Sequence, residues 1–385
     1  MINFIVLGKC RRVTSAVLQS IRSFTDAKCI VIGGPETGIL RWSALCKRQI
    51  TVDLEGKDDN LFVDLVNSIV RQRPHVILIP VDCDAIRLVS RVRERLMLPV
   101  TPIPELATLN MFDDKWQFHQ FCMSHDLAVP KTRFVPSKAD LDYDAVVEDI
   151  GSPFVLKPLG LAGSTGVYIV HDKAGFEQAV LRNDAYDYGP LVAQQYIEGD
   201  DVDISLLALG GRVTAFAIQQ AGDSSIVFRP SRELEAMAAR LCQASNYHGV
   251  MHIDARIETA SGKVYLIESN PRFWASLTAS VWCGLNFAAQ VILPAYSTSG
   301  VRHLTSGTAY TRYPLIRPSC WKRMTFDTSE RGRLLRAMTF DPLALSDFIK
   351  ELPAAFWRLA IARVTGLAGG LRRTRTSRAF AKDVA

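Results

Sequence analysis

Apolar and polar positions alternate along the first hundred residues in two rhythms. Short apolar runs at 2–7, 29–32 and 76–79 read as buried strands, while 13–23 and 60–71 carry apolar positions at helical spacing. Strands separated by helices in this order predict a small parallel β-layer. Pro99, Pro102 and Pro104 then interrupt any regular element and mark a boundary. A helix is expected over 113–125 and a strand over 132–135. Runs at 153–157 and 167–170 read as a hairpin around a glycine-rich turn. Further strands are expected at 191–196, 202–209, 213–219, 250–257 and 263–268, with a helix at 231–245 for which Ser231 is the candidate N-cap. The pattern weakens beyond residue 296, and no internal repeat is evident. The prediction is an α+β chain with an N-terminal α/β layer, divided at about 1–110, 111–190, 191–300 and 301–385.

Composition changes this picture in three places. The 385 residues exceed one typical core, which favours several packed domains. Eight cysteines are scattered with no CxxC pair, so neither a zinc site nor a disulfide framework is expected. No signal-peptide pattern opens the sequence and no apolar run reaches the ~18 residues of a membrane span, so a cytoplasmic protein is expected. The formal charge of +6 is concentrated at the end, where residues 321–385 hold thirteen Lys/Arg against six Asp/Glu. Positive charge is therefore a property of the tail rather than of the core chemistry.

The most specific chemistry lies at Glu268, Ser269, Asn270, Pro271 and Arg272. A strand has a side-chain period of two, so it would place Glu268, Asn270 and Arg272 on one face. Asp254 precedes them across a turn containing Ser261 and Gly262, and antiparallel pairing can bring it beside Glu268. Two carboxylates and an amide oxygen are hard donors of the kind Mg²⁺ prefers, and Arg272 adds a planar fork for phosphate or carboxylate. Alone, this segment reads more readily as a strand with solvated polar residues. A second element starts at Lys157, at the end of an apolar strand. It continues through Gly160, Gly163, Ser164, Thr165 and Gly166, where backbone N–H groups can approach phosphate oxygens. The loop lacks the Walker spacing GxxxxGK[ST]. A third element, Gln195, Tyr196 and Ile197 followed by Asp200, Asp201 and Asp203, can present backbone groups to an adenine edge and a carboxylate to ribose, or form a plain hairpin.

Together these elements resemble the ATP-grasp superfamily, particularly its carboxylate–amine ligase and carbamoyl-phosphate-synthetase-like branch. The resemblance covers roughly residues 1–300 and includes Asp114, Lys115 and Trp116 on a linker helix. It implies a nucleotide held between two α+β lobes, preceded by a pre-ATP-grasp layer and followed by a C-terminal extension. In this family the lysines matching Lys115 and Lys157 contact nucleotide phosphates. The backbone around Gln195, Tyr196 and Ile197 holds adenine, and the acid matching Asp201 meets ribose. The loop carrying Gly160, Gly163, Ser164, Thr165 and Gly166 closes as a lid. Positions matching Asp254, Glu268 and Asn270 hold magnesium, commonly two ions with Mn²⁺ as an alternative, and Arg272 touches the reacting phosphate or carboxylate. The sequence departs from the family at Gln195 and Asp201, where glutamate is common.

The implied activity is an ATP-dependent ligase that activates a small carboxylate as an acyl phosphate and joins it to an amine, with Arg272 and Lys157 in catalytic roles. No dedicated general base is visible, and His248 and His252 lie near the metal strand. The alternatives are a carbamoyl-phosphate or carboxylase-type enzyme, and a membrane-recruited nucleotide-binding protein without turnover. Residues 356–364 read as an amphipathic segment and 371–378 as a basic tail, which can lie on an anionic membrane surface or form a packed helix with a disordered end. Nucleic acid is not expected, because aromatic residues are not interleaved with the basic run. Homodimerisation is a further option. Phe273, Trp274 and Trp282 read as core or pocket wall, and Gly8 to Cys10 does not make a dinucleotide fingerprint.

Overall fold

The fold is described from a computed structural model covering residues 3–346 and 349, apart from 57, 74, 162, 164, 223–224, 293–299 and 311–317. The basic tail and the segment at 356–364 lie outside the described residues, as does Ser164. The first layer runs β1 (Asn3–Gly8), α1 (Arg11–Phe24), β2 (Cys29–Gly33), β3 (Cys46–Thr51), α2 (Asp59–Gln72), β4 (Val76–Pro80) and α3 (Cys83–Val92). Its four strands are parallel in the order β3-β2-β1-β4. β1, β2 and β4 are the apolar runs expected, because helices cover both faces of a parallel sheet. β3 escapes that signal: its sequence CKRQIT is partly exposed at the sheet edge. The proline segment is less of a break than expected. Leu78 N–H donates to Pro99 O at 3.0 Å and Thr101 N–H to Leu78 O at 3.0 Å, adding a parallel bridge to the layer.

The helix expected over 113–125 is α5 (Lys115–Ser124), and a helix that was not expected, α4 (Leu106–Asp113), precedes it. Asp114 separates them in extended backbone and caps α5, accepting from Gln117 N–H at 2.8 Å. The break places Lys115 in the first turn of a new helix. A four-stranded antiparallel sheet follows, with β5 (Thr132–Val135), α6 (Tyr143–Ile150), β6 (Phe154–Pro158), β7 (Tyr168–Val170), α7 (Lys173–Phe176) and β8 (Leu191–Gln195). Its order is β5-β8-β6-β7, so β8 lies inside this sheet and not, as the expected division at 191 implied, in the larger one. β6 and β7 form the expected hairpin.

The largest sheet contains β9 (Gly199–Leu209), β10 (Arg212–Ala221) and β11 (Ser225–Phe228). After α8 (Arg232–Ala244) it continues with β12 (Gly249–Glu258) and β13 (Val264–Asn270). Beyond α9 (Leu277–Cys283) and α10 (Phe287–Ile292), β14 (Arg302–Leu304) and β15 (Gly307–Tyr310) rejoin it. The order is β13-β12-β9-β10-β11-β15, with β14 beside β10. Ser231 caps α8 as expected, accepting from Leu234 N–H at 3.3 Å. Finally α11 (Pro318–Phe326) and α12 (Glu330–Thr339) follow, and α12 packs on α1 and α9.

Period-two alternation divides the large sheet chemically. Ile204, Leu206, Phe216, Met251, Ile253 and Leu266 join Leu234 and Leu241 of α8 and Phe112 and Phe118 of the linker helices in one core. The other face is apolar toward α1, α9 and α10, through Leu207, Ala215, Ala217, Val250 and Ile226. On that same face, strand alternation continues into Asp203, Ser205, His252 and Asp254. The polar residues are thus the continuation of a packed face, which holds them rigidly. All eight cysteines are free, matching the expected absence of a disulfide framework.

Candidate active site

The antiparallel register of β12 and β13 pairs Asp254 with Glu268 and His252 with Asn270. On the other side β9 pairs Asp203 with Asp254 and Asp201 with Arg256. Three neighbouring strands therefore carry one row of carboxylates. Asn270 Nδ2 donates to Asp254 Oδ2 at 3.2 Å. Arg272 lies past the end of β13, not on its face as the strand period suggested. It is returned to the row by donating to Asn270 Oδ1 at 2.9 Å and to Phe273 O at 2.8 Å.

The electrostatics are those of a crowded carboxylate pair. Burial raises the pKa of Glu268, the charge of Asp254 raises it further, and Lys157 and Lys115 oppose both. Burial also pushes Asp254 up, but the hydrogen bond and charge of His252 outweigh it and hold that carboxyl below its ordinary value. Lys115 Nζ stands 3.8 Å from Glu268 Oε2 and donates to Leu161 O at 2.9 Å and Leu159 O at 3.3 Å, so it ties the lid to the carboxylate row. Lys157 is buried on β6 and donates to Gln194 Oε1 at 2.8 Å. Burial lowers its pKa, while the charges of Glu268 and Asp254 pull it upward, so its ammonium faces the same row from the small sheet.

Two residues of this row were not predicted as ligands. His252 Nε2 lies 3.1 Å from Asp254 Oδ1 and 3.9 Å from Asp203 Oδ2, and its Nδ1 is 2.9 Å from Ser205 Oγ. Burial alone would lower the His252 pKa, but Asp254 and Asp203 raise it. Asp203 is pushed up to about 7, by burial and then by the charge of Asp254. His248, the other histidine considered, immediately precedes β12, where its Nδ1 accepts from Gly210 N–H of the β9–β10 turn at 3.2 Å.

Two overlapping donor sets are therefore available for a cation. Ligand atoms of Asp203, His252 and Asp254 lie within 4.8 Å of one another. Both ring nitrogens of His252 already have partners, and a hard cation prefers oxygen. Asp254, Glu268 and Asn270 offer only oxygens, and the mutual repulsion that raises Glu268 is what a divalent cation would offset. This second set fits Mg²⁺, with His252 positioning Asp254 from behind.

The residues expected to meet the nucleotide lie at the junction of the sheets. Gln195 N–H donates to Lys131 O at 2.8 Å, and its Oε1 accepts from Lys131 N–H at 3.3 Å. Tyr196 N–H donates to Pro153 O at 3.2 Å, and its ring lies 5.3 Å from the Arg256 guanidinium. Ile197 is buried. Asp201 Oδ1 is 3.4 Å from Arg256 Nε, and burial raises its pKa against the pull of that cation. In the lid, Gly166 has φ +70° and its carbonyl accepts from Tyr186 Oη at 2.9 Å. Gly160 and Gly163 border a cavity of about 920 Å³ together with Lys115, Glu268, Asn270 and Arg272. Thr165 is exposed and, like Gly166, is not part of that wall. Of the far walls, that of α9 was anticipated through Trp282, whereas those from α1, α3 and α12 were not.

Residues 112–276 match the family model of the ATP-grasp domain. The chain is 28% identical over 198 residues to D-alanine–D-alanine ligase of Cupriavidus pinatubonensis, covering 46% of this chain and 59% of that protein. It is 26% identical over 189 residues to the arginine-specific carbamoyl phosphate synthase large chain of Bacillus subtilis, covering 45% of this chain and 18% of that one. The chain thus spans less than two thirds of the length of these curated relatives. Among solved structures, L-amino acid ligase from Bacillus licheniformis has a TM-score of 0.56 at 18% identity, covering 77% of this chain and 74% of that one. N5-carboxyaminoimidazole synthetase from Staphylococcus aureus complexed with ADP has a TM-score of 0.59 at 14% identity, covering 79% and 80%. The domain match over residues 112–276 and the likeness to these solved structures give the chain an ATP-grasp fold, with a carboxylate row flanked by two lysines.

Proposed function

We propose that this chain is an ATP-dependent ligase that activates a carboxylate as an acyl phosphate and joins it to an amine, releasing ADP and phosphate. The observation that carries this reading is the convergence of Asp254 and Lys157 with Glu268, Asn270, Arg272 and Lys115, the last four lining a large cavity. The ligase names among the relatives support it. Bound Mg²⁺ would supply charge neutralisation on the phosphates, held by Asp254, Glu268 and Asn270. Lys115 and Lys157 offset phosphate charge from the lid side and the small sheet, and Arg272 orients the reacting oxygen. A carboxylate oxygen attacks the γ-phosphorus and the bond to the bridging oxygen of ADP breaks. The amine nitrogen then attacks the acyl carbon, phosphate leaves, and the amine proton passes to solvent or base. The loop around Gly160, Gly163 and Gly166 shields the acyl phosphate from water. Gln195, Tyr196 and Ile197 would border adenine, with Asp201 at the ribose.

Phosphate release measured over paired acids and amines tests this reading. Release should require both ATP and a carboxylate, and Glu268→Ala should lower kcat/KM at least about 10²-fold. Tight ATP binding with no release from any pair would leave a binding protein instead, and release driven by bicarbonate alone would favour the carboxylase-type reading. A two-ion requirement, Mn²⁺ substitution, homodimerisation and a cytoplasmic location belong to this proposal, with metal titration and sedimentation as their checks. No helix among the described residues is long and apolar enough to cross a membrane. Membrane contact through the tail draws no support from the described residues.

A further inference from the structure

The cavity is chemically divided along its length. At one end it is lined by Glu268 and Asn270 of β13, and elsewhere by Ile226 of β11 and Ala309 of β15, which are register partners. β11 is four strands from β13 in the sheet order. At about 4.8 Å per strand this separation is about 19 Å. The distal walls carry the apolar Val13 of α1, Trp282 of α9, and Leu334 and Met338 of α12, and the lining also includes Glu36, Arg12 of α1 and Thr278 of α9. Charge is committed nearer the first layer, where Lys9 pairs with Glu55 and Asp84, and Arg87 pairs with Asp84 and Asp113.

The α12 wall is firmly placed. Asn286 Nδ2 donates to Glu330 Oε2 at 2.8 Å, and Arg331 Nε donates to Trp282 O at 2.5 Å. Arg333 meets Asp26 at 3.1 Å. Leu334 is buried and Met338 half-buried. These residues, with Ala309, lie after the segment 112–276 that carries the nucleotide chemistry. A wall so placed can select substrates without touching the phosphates.

Resting on the ligase reading, we propose that one of the two substrates has an extended apolar body, of leucine to phenylalanine size or longer. Its far end lies in the chamber formed by Val13, Ile226, Trp282, Ala309, Leu334 and Met338. The segment after residue 300 is then a specificity element of the ligase. The cavity volume of about 920 Å³ is several times that of a leucine side chain, so both substrates fit across the sheet face. Burying apolar groups in the chamber is worth about 0.8 kcal/mol per methylene, or roughly fourfold in kcat/KM.

Phosphate release decides this with two series on the full chain. One varies the acid from acetate-sized to phenylalanine-sized at a fixed amine, and the other varies the amine at a fixed acid. The proposal expects kcat/KM to rise at least tenfold with apolar length in one series, which identifies the substrate occupying the chamber. Met338→Trp should lower the long-to-short ratio at least tenfold, and Met338→Ala should shift the optimum to longer chains. If the tryptophan variant fails to fold, the alanine variant and the wild-type series decide. A preference for short or charged substrates, or a ratio indifferent to residue 338, overturns the proposal. With Glu268-dependent release still present, that outcome leaves the ligase reading intact. No release from any pair overturns both.

Discussion

A single carboxylate holds the first loop against the third helix. Asp82 Oδ2 accepts from Lys9 N–H at 2.6 Å and Cys10 N–H at 2.9 Å, while Oδ1 accepts from Ala85 N–H at 3.1 Å and caps α3. Burial raises its pKa, and the three backbone donors oppose that rise. The backbone groups that could have greeted a dinucleotide in Gly8 to Cys10 are thus occupied. Asp82→Ala leaves three donors without a partner and should cost about 2–3 kcal/mol, read as a shift of the urea midpoint at unchanged m-value. Asp82→Asn keeps one acceptor oxygen and should cost less. Asp82 stands at an N-cap position before apolar helical spacing, so its capping role could be inferred from sequence. Its grip on residues 9 and 10 depends on the parallel pairing of β1 and β4.

At the scale of elements, the proposed lid hairpin would couple backbone shape to nucleotide handling. Gly166 sits at φ +70°, and a Cβ there would approach Pro158 Cγ to 2.7 Å and Tyr188 Cε2 to 2.9 Å. The neighbours are a ring and a strand end, neither able to swing away. Gly166→Ala should therefore displace the loop at a cost of about 1–2 kcal/mol. The expected signature is an apparent KM for ATP raised several-fold with little loss of melting temperature, because the hairpin is peripheral to the large-sheet core. An unchanged KM would remove this loop from the phosphate site. The hairpin itself was legible in sequence, since apolar runs flank a glycine cluster. The linker helix α5 was legible in sequence, whereas α4, separated from it only by the extended Asp114 cap, was not.

For the molecule as a whole, Asn286 is the joint between distant parts of the chain. Its buried Nδ2 donates to Ser20 O at 3.1 Å, Ser23 Oγ at 2.9 Å and Glu330 Oε2 at 2.8 Å, and its Oδ1 accepts from Ala289 N–H at 3.2 Å. It thus ties α1 of the first layer, α10 after the large sheet and α12 together. Asp341 makes a second tie, accepting from Ser43 Oγ and Ala44 N–H, each at 3.1 Å. Asn286→Ala should lower stability by about 2–4 kcal/mol through buried groups left unpaired. Asn286→Asp should be worse, since it sets a carboxylate against Glu330. Thermal unfolding checks both, and a change within 0.5 kcal/mol (about the scatter of surface substitutions) would show that the joint carries little.

The sequence by itself determined most of the parallel first layer, the antiparallel run and the pairing of Asp254 with Glu268. Apolar runs, strand alternation and the short Ser261–Gly262 turn are local signals, and the turn leaves little freedom in how Asp254 meets Glu268. Only the tertiary structure decided the rest. It placed β8 in the small sheet and set His252 and Asp203 behind Asp254. It brought Arg272 back from beyond its strand, and it folded α12 over the far end of the cavity. Those outcomes depend on pairings and packing between residues far apart in the chain, where side-chain period says which face a residue takes but not what will cover it.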